Sequence, residues 1–315
     1  ARDALQLMLL EIAEPEARAR LDERGEIAFA YELAGRWRAR CTLYQQSRGL
    51  AGALRLLPAE TPSLAGLGLP ADLGALADRP SGLVLVTGPA GSGRTSTLAA
   101  LVDHVNRTSC RHVVTLEEPV EFRHPCRRSL VEQREVGRHT PDLVRGLRAA
   151  LQGDADVVVT GEPHGLEAMD AVLDAAAGRL VLVTLGAASA PQAVASVLEV
   201  FPEERLVRAA ARLGDSLLAV LCQRLLPRAD RAGRVPALER LAGTDAVRAA
   251  IRERRTAQLD LLLRSTADEG TCTMDAAIAA LVRDGVVEAD WDRATAAAGE
   301  TDAGEAIDDG MGAAA

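Results

Sequence analysis

Gly88-Pro89-Ala90-Gly91-Ser92-Gly93-Arg94-Thr95 stands between the apolar run Leu83-Val84-Leu85-Val86 and the helix-forming stretch Ser96-Thr97-Leu98-Ala99-Ala100-Leu101-Val102. The order is strand, glycine-rich turn, helix. A phosphate-cradling loop requires this order, because glycines let backbone N–H groups turn inward and the N-terminus of the following helix favours an anion. Residues 88–96, ending at Ser96, are therefore the expected nucleotide-binding segment, with the Thr95 hydroxyl offered to Mg²⁺. One position departs from the pattern: Lys is expected just before the Thr, and Arg94 stands there. Whether the chain hydrolyses nucleotide or only holds it turns on what surrounds that arginine.

After the loop, the apolar runs Val113-Val114, Val157-Val158-Val159 and Leu180-Val181-Leu182-Val183 alternate with helical stretches near 96–107, 141–151, 165–177 and 190–198. Short β-branched runs between helices predict an α/β core with a mostly parallel sheet covered on both faces. Ligands in such folds bind beyond the carboxyl ends of the strands. Acidic residues fall at this rhythm: Glu117 and Glu118 after the second run, Asp156 at the start of the third, and Glu162 after its end. A nucleotide-hydrolysing site needs one carboxylate on the metal side and another to orient the attacking water. Glu118 is the candidate for the first role and Glu162 for the second. A single acidic residue at a strand end is usually a turn or cap residue, so the reading rests on their register with the loop.

Before the core, residues 2–24 read as two helices, with Leu5, Leu9 and Ile12 at helical spacing. From Glu26 the period becomes two: Ile27, Phe29, Tyr31 and Leu33 share a face, Ala34-Gly35 turns, and Trp37, Ala39, Cys41 and Leu43 share the next, with a third strand at 50–57. A small α+β domain is expected over 1–58, and a Pro- and Gly-punctuated linker over 59–81. The core follows over 82–226. Beyond Glu203 the chain reads as helices only, giving a helical region over 227–298; residues 299–315 hold five acidic side chains and read as a disordered tail.

The 315 residues suffice for two cores, and 48% hydrophobic with 26% charged residues is the balance of a water-soluble globular chain. No apolar run is long enough to span a bilayer, so direct membrane insertion is not expected. The net charge of −9 argues against direct nucleic-acid binding. The five cysteines have no C-x-x-C pair, so reduced thiols in cytoplasm are expected rather than a disulfide framework or zinc site. All 36 basic residues are Arg. A GC-rich genome explains a lysine-free chain and by itself would account for Arg94.

In order along the chain, Leu83 to Thr97, Thr115-Leu116-Glu117-Glu118-Pro119-Val120-Glu121-Phe122, Val131-Glu132-Gln133-Arg134-Glu135-Val136-Gly137-Arg138, Gly161-Glu162 and Val200-Phe201-Pro202-Glu203-Glu204 resemble the type IV pilus retraction ATPases of the secretion ATPase superfamily. Ala246-Val247-Arg248-Ala249-Ala250-Ile251-Arg252-Glu253 resembles the C-terminal helix motif of the retraction branch, and the likeness covers nearly all of 5–298. The resemblance implies a RecA-like P-loop core behind a PAS-like N-terminal domain that lacks its first portion. It implies ATP and Mg²⁺ as ligands and a cytoplasmic hexamer, alone or mixed with a paralogous retraction ATPase. Such hexamers act on an inner-membrane pilus platform protein and drive filament disassembly. Family arginines reach the phosphates, which makes Arg134 and Arg138, and also Arg55, candidates for that role.

The departures from the family pattern are Arg94 for Lys, Pro163-His164-Gly165 after the Walker B Glu162, Gly186 in place of a His, Gln152 and Ala155 before the third strand, and Arg179 for a His. They are expected to cluster on the site. Lys is a compact point charge and Arg a longer planar fork, so the two do not serve a phosphate from the same spot. The expectation is a divergent, nucleotide-binding accessory or regulatory subunit with weak or lost hydrolysis; the alternatives are an active motor and a structural partner that binds no nucleotide.

Overall fold

A computed structural model describes residues 2–33, 37–58, 60–265 and 270–291. The expected turn at Ala34-Gly35 and the acidic tail at 299–315 lie outside the described residues. The N-terminal part holds helices α1 (Arg2–Glu11) and α2 (Pro15–Arg24) and strands β1 (Glu26–Leu33), β2 (Trp37–Gln46) and β3 (Gly49–Leu57) in an antiparallel meander. The period-two pattern is realised: Ile27, Phe29, Ala39, Cys41, Leu43 and Leu50 are buried with Leu9, Ala13, Ala17 and Leu21 of the two helices. Leu5 is exposed despite its helical spacing with Leu9, because α1 lays only its C-terminal half on the sheet.

The segment expected to be a linker is packed. It carries α3 (Gly74–Ala77), and Leu64, Leu69, Leu73 and Ala77 are buried on the core sheet. Proline and glycine punctuation marked irregular backbone correctly, but its spaced leucines cover one face of the sheet.

The core alternates β4 (Gly82–Thr87), α4 (Arg94–Thr108), β5 (His112–Glu117), β6 (Leu130–Glu135), α5 (Leu143–Gln152), β7 (Val157–Thr160), α6 (Gly165–Ala176), β8 (Leu180–Leu185), α7 (Ala190–Glu199) and α8 (Glu203–Ser216). Strands β4, β8, β7, β5 and β6 are parallel neighbours, and both faces are buried, one under α5 to α9 and the other under α4 and the 64–77 segment. In β4, β7 and β8, buried Val and Leu on both faces explain why the strands read as continuous apolar runs.

Beyond Glu203 the chain is not helical throughout. Strand β9 (Leu217–Pro227) runs parallel to β4, and β10 (Arg234–Ala242) pairs antiparallel to β9, extending the sheet to seven strands in the order β10-β9-β4-β8-β7-β5-β6. Leu and Ala are good helix formers, so Leu217-Leu218-Ala219-Val220-Leu221 continues the pattern of α8 by propensity; burial beside β4 overrides it. Helices resume with α9 (Asp245–Arg252), α10 (Leu259–Ser265) and α11 (Met274–Arg283). Among the described residues no helix is long and apolar enough to cross a membrane. The whole is a RecA-like core between a small N-terminal α+β domain and a helical C-terminal region.

Candidate nucleotide-binding site

The loop leaves β4 at Gly88, whose φ is 139° and whose hypothetical Cβ would lie 2.3 Å from the Gln223 carbonyl oxygen. Glycine is required there by both backbone and space. The loop re-enters helix at Gly93 (φ 93°), and α4 starts with no side-chain cap. Its first N–H groups are thus left for an anion, unlike those of α5, where the Asp142 carboxylate accepts from Arg145 N at 2.8 Å. Inside the loop the Ser92 hydroxyl is buried and has no hydrogen-bond partner among the described residues. An uncapped helix start and an orphaned hydroxyl fit a phosphate group.

What holds the loop was not read from the sequence. Gln223, buried on β9, donates from Nε2 to the Ser92 carbonyl at 2.7 Å and accepts from the Thr97 hydroxyl at 2.6 Å. One side chain thus ties the loop to the first turn of α4. The only signal was a lone amide inside the apolar run Leu217 to Leu226.

Beside the loop opens a cleft of about 1050 Å³. Arg94, Thr95 and Leu98 of α4 form one side; Glu117 ends β5 and Glu118 and Glu121 follow it, and Gly161 and Glu162 follow β7. Arg24, Ala28 and Arg40 of the N-terminal domain close the opposite side, and Arg145 and Arg148 of α5 line it too. Thr95, Glu118 and Glu162 thus line one cleft at the carboxyl ends of the parallel strands. Glu117 accepts from the Thr115 hydroxyl at 2.7 Å and from Gln133 Nε2 at 3.4 Å. Burial pushes its carboxyl above the usual range, and these two donors oppose the shift. Glu118 is exposed to the cleft. No cluster of three metal-ligating side chains occurs among the described residues, so Mg²⁺ here would rely on the Thr95 hydroxyl, Glu118, water and phosphate oxygens, the usual manner for this ion.

Arg94 does not curl over the loop. Its Nη1 lies 3.5 Å from Glu162 Oε2, while Glu162 Oε1 accepts from Gly186 N at 3.1 Å. A Cβ at 186 would come within 3.3 Å of Glu162 Oε1 and 3.7 Å of the arginine, so three of the departures from the family pattern, at 94, 164 and 186, meet at this cleft. The others do not. Ala155 and Asp156 precede β7, Gln152 ends α5, and Arg179 precedes β8 and pairs with Asp154 at 3.2 Å. Asp156 accepts from His112 N at 2.8 Å, at the amino ends of the strands. Alternation between helix and strand hid this: residues before and after a strand are near in sequence but lie at opposite edges of the sheet.

The candidate phosphate-reaching arginines lie elsewhere within the chain. Arg138 binds Glu14 at 2.6 Å, Arg134 donates to the His139 carbonyl at 3.2 Å, and Arg55 stands exposed opposite Arg40 in the β2–β3 register. None of the three lines the cleft. Arg40 does, and its Nη1 is 2.8 Å from the buried Glu121. Two residues before it on β2, Arg38 donates to the Val120 carbonyl at 2.6 Å. The loop after β5 is thereby gripped by the small sheet. On the same loop, burial pushes the His124 pKa down to about 4, leaving the ring neutral at physiological pH.

The family model described as type II/IV secretion system protein matches residues 52–304. A twitching motility protein of Neisseria gonorrhoeae is 38% identical over 265 residues, 83% of this chain and 70% of its own length. The type IV pilus retraction ATPase PilT of Pseudomonas aeruginosa is 36% identical over 281 residues, 89% of this chain and 81% of its own. The solved structure of the pilus retraction motor PilT with bound ADP matches with a TM-score of 0.80 at 35% identity, covering 90% of this chain and 81% of that one. A glycine loop aimed at a carboxylate-lined cleft, and likeness along nearly the whole chain, lead to one conclusion: the chain belongs to the type II/IV secretion system protein family and is similar to its PilT-like ATPases.

Proposed function

We propose that the chain binds ATP with Mg²⁺ through residues 88–96 and hydrolyses it weakly or not at all, serving as an accessory or regulatory subunit of a type IV pilus retraction motor. The observation that carries this reading is the pairing of Arg94 with Glu162. The side chain that should stabilise transferring phosphate and the one that should orient water neutralise each other. Losing one preorganised stabiliser of transition-state charge costs about 10² to 10³ in turnover. Binding is less affected, since the uncapped start of α4 and the backbone of the loop contribute without a lysine. Bound Mg²⁺ would neutralise phosphate charge and polarise the terminal phosphoryl group. Thr95 and Glu118 are assigned to it, and Glu162 to the attacking water.

Likeness to PilT proteins supports assembly as a hexamer, homomeric or mixed with a paralogous retraction ATPase, acting in the cytoplasm against an inner-membrane platform protein. Arg134 and Arg138, remote from their own subunit's cleft, are proposed to reach the phosphates across a subunit boundary. Phosphate release by the purified oligomer tests the reading. Turnover below about one hundredth of that of an active PilT protein, with retained binding of a fluorescent ATP analogue, is expected. Robust turnover abolished by Glu162→Gln would establish the active-motor alternative, and no analogue binding would leave only the structural one.

A further inference from the structure

Arg94, Glu162 and Gly186 form a unit with a geometry of its own. Glu162 uses one oxygen for the backbone N–H of Gly186 and the other for the guanidinium, at 3.1 Å and 3.5 Å. The guanidinium lies 3.7 Å from where a Cβ on residue 186 would stand, an ordinary contact distance. The cation at 94 and the glycine at 186 are thus direct neighbours on either side of Glu162. The pair spans the gap between the start of α4 and the end of β7, beside Thr95.

We infer that this pair is a latch which a terminal phosphate has to open, so that Arg94 and Glu162 set the chain's preference between nucleoside triphosphate and diphosphate. The inference rests on the nucleotide-binding reading above. A diphosphate held by the loop backbone reaches neither member of the pair and leaves it intact. A third phosphate, placed beyond the loop toward Glu162, competes with that carboxylate for the guanidinium. Triphosphate binding then includes the loss of the Arg94–Glu162 contact, and diphosphate binding does not. The pair is partly exposed, with side-chain accessibilities of 22% and 37%, so the discrimination is modest.

Equilibrium binding of ADP and of a non-hydrolysable ATP analogue, both with Mg²⁺, tests the latch. Glu162→Gln retains an acceptor for the Gly186 N–H and removes only the charge. It is expected to tighten the triphosphate analogue about fivefold while leaving ADP within twofold. In an Arg94→Ala background the same change should move the triphosphate-to-diphosphate ratio less than twofold. Arg94→Gln serves if the shorter side chain unsettles the start of α4. Equal shifts for both nucleotides in Glu162→Gln, or a full effect persisting without Arg94, would overturn the latch while the nucleotide site stands. Binding of neither nucleotide by the unaltered protein would overturn both.

Discussion

The two sides of the phosphate loop differ in kind. Beneath it, Gln223 is buried and holds Ser92 and Thr97 at 2.7 Å and 2.6 Å. Above it, Arg94 and Glu162 are partly exposed and 3.5 Å apart. The underside is locked by short hydrogen bonds in a water-excluded place; the upper side is a solvent-screened ion pair. On the proposed reading, holding a nucleotide and reacting with it are therefore separable, and substitutions on the two sides should have different consequences.

The contrast would be broken most forcefully at Gly88. Gly88→Ala places a methyl group against a backbone carbonyl at an unfavourable φ, and we expect a loss of about 4 kcal/mol with nucleotide binding abolished, read by chemical denaturation and titration. Next in size, Gln223→Ala leaves a buried hydroxyl and a carbonyl without partners and should cost about 3 kcal/mol. His124 adds a pH dependence of similar size. Its folded pKa is about 4 against 6.5 in the unfolded chain, so the unfolded state takes up the extra proton and stability falls as the pH drops from 6.5 towards 4, by about 3 kcal/mol. Denaturation midpoints over that range should fall less steeply in His124→Gln. Arg40→Ala strands the buried Glu121 and should cost about 1 to 2 kcal/mol. Smallest of all, Glu162→Gln should alter stability by less than about 0.5 kcal/mol, the value expected of an exposed pair. A large destabilisation there would erase the distinction between the two sides.

The sequence made the loop legible because Gly88, Gly91 and Gly93 are local requirements and the flanking Leu83–Val86 and Leu98–Val102 declare their own structure. It made Glu118 and Glu162 legible because both follow strands whose β-branched runs are unambiguous. Strand β6 was missed, since Glu132 to Glu135 are four consecutive polar residues and only one of its edges is paired. Strand β9 was missed because its leucines and alanines suit a helix equally well. Gln223 shows in the sequence only as a lone amide within an apolar run, and its role does not show: its partner Ser92 is 131 residues away, and nothing in either neighbourhood signals the other. The Arg138–Glu14 pair is hidden for the same reason, since the two lie 124 residues apart.

The grip of Arg38 and Arg40 on successive residues of the loop after β5 couples the small sheet to the wall of the cleft. Val120 and Glu121 lie two and three residues after Glu118, so the carboxylate that faces the cleft and the meander whose edge strand β3 carries the exposed Leu54 and Leu56 are joined through one short, doubly anchored loop.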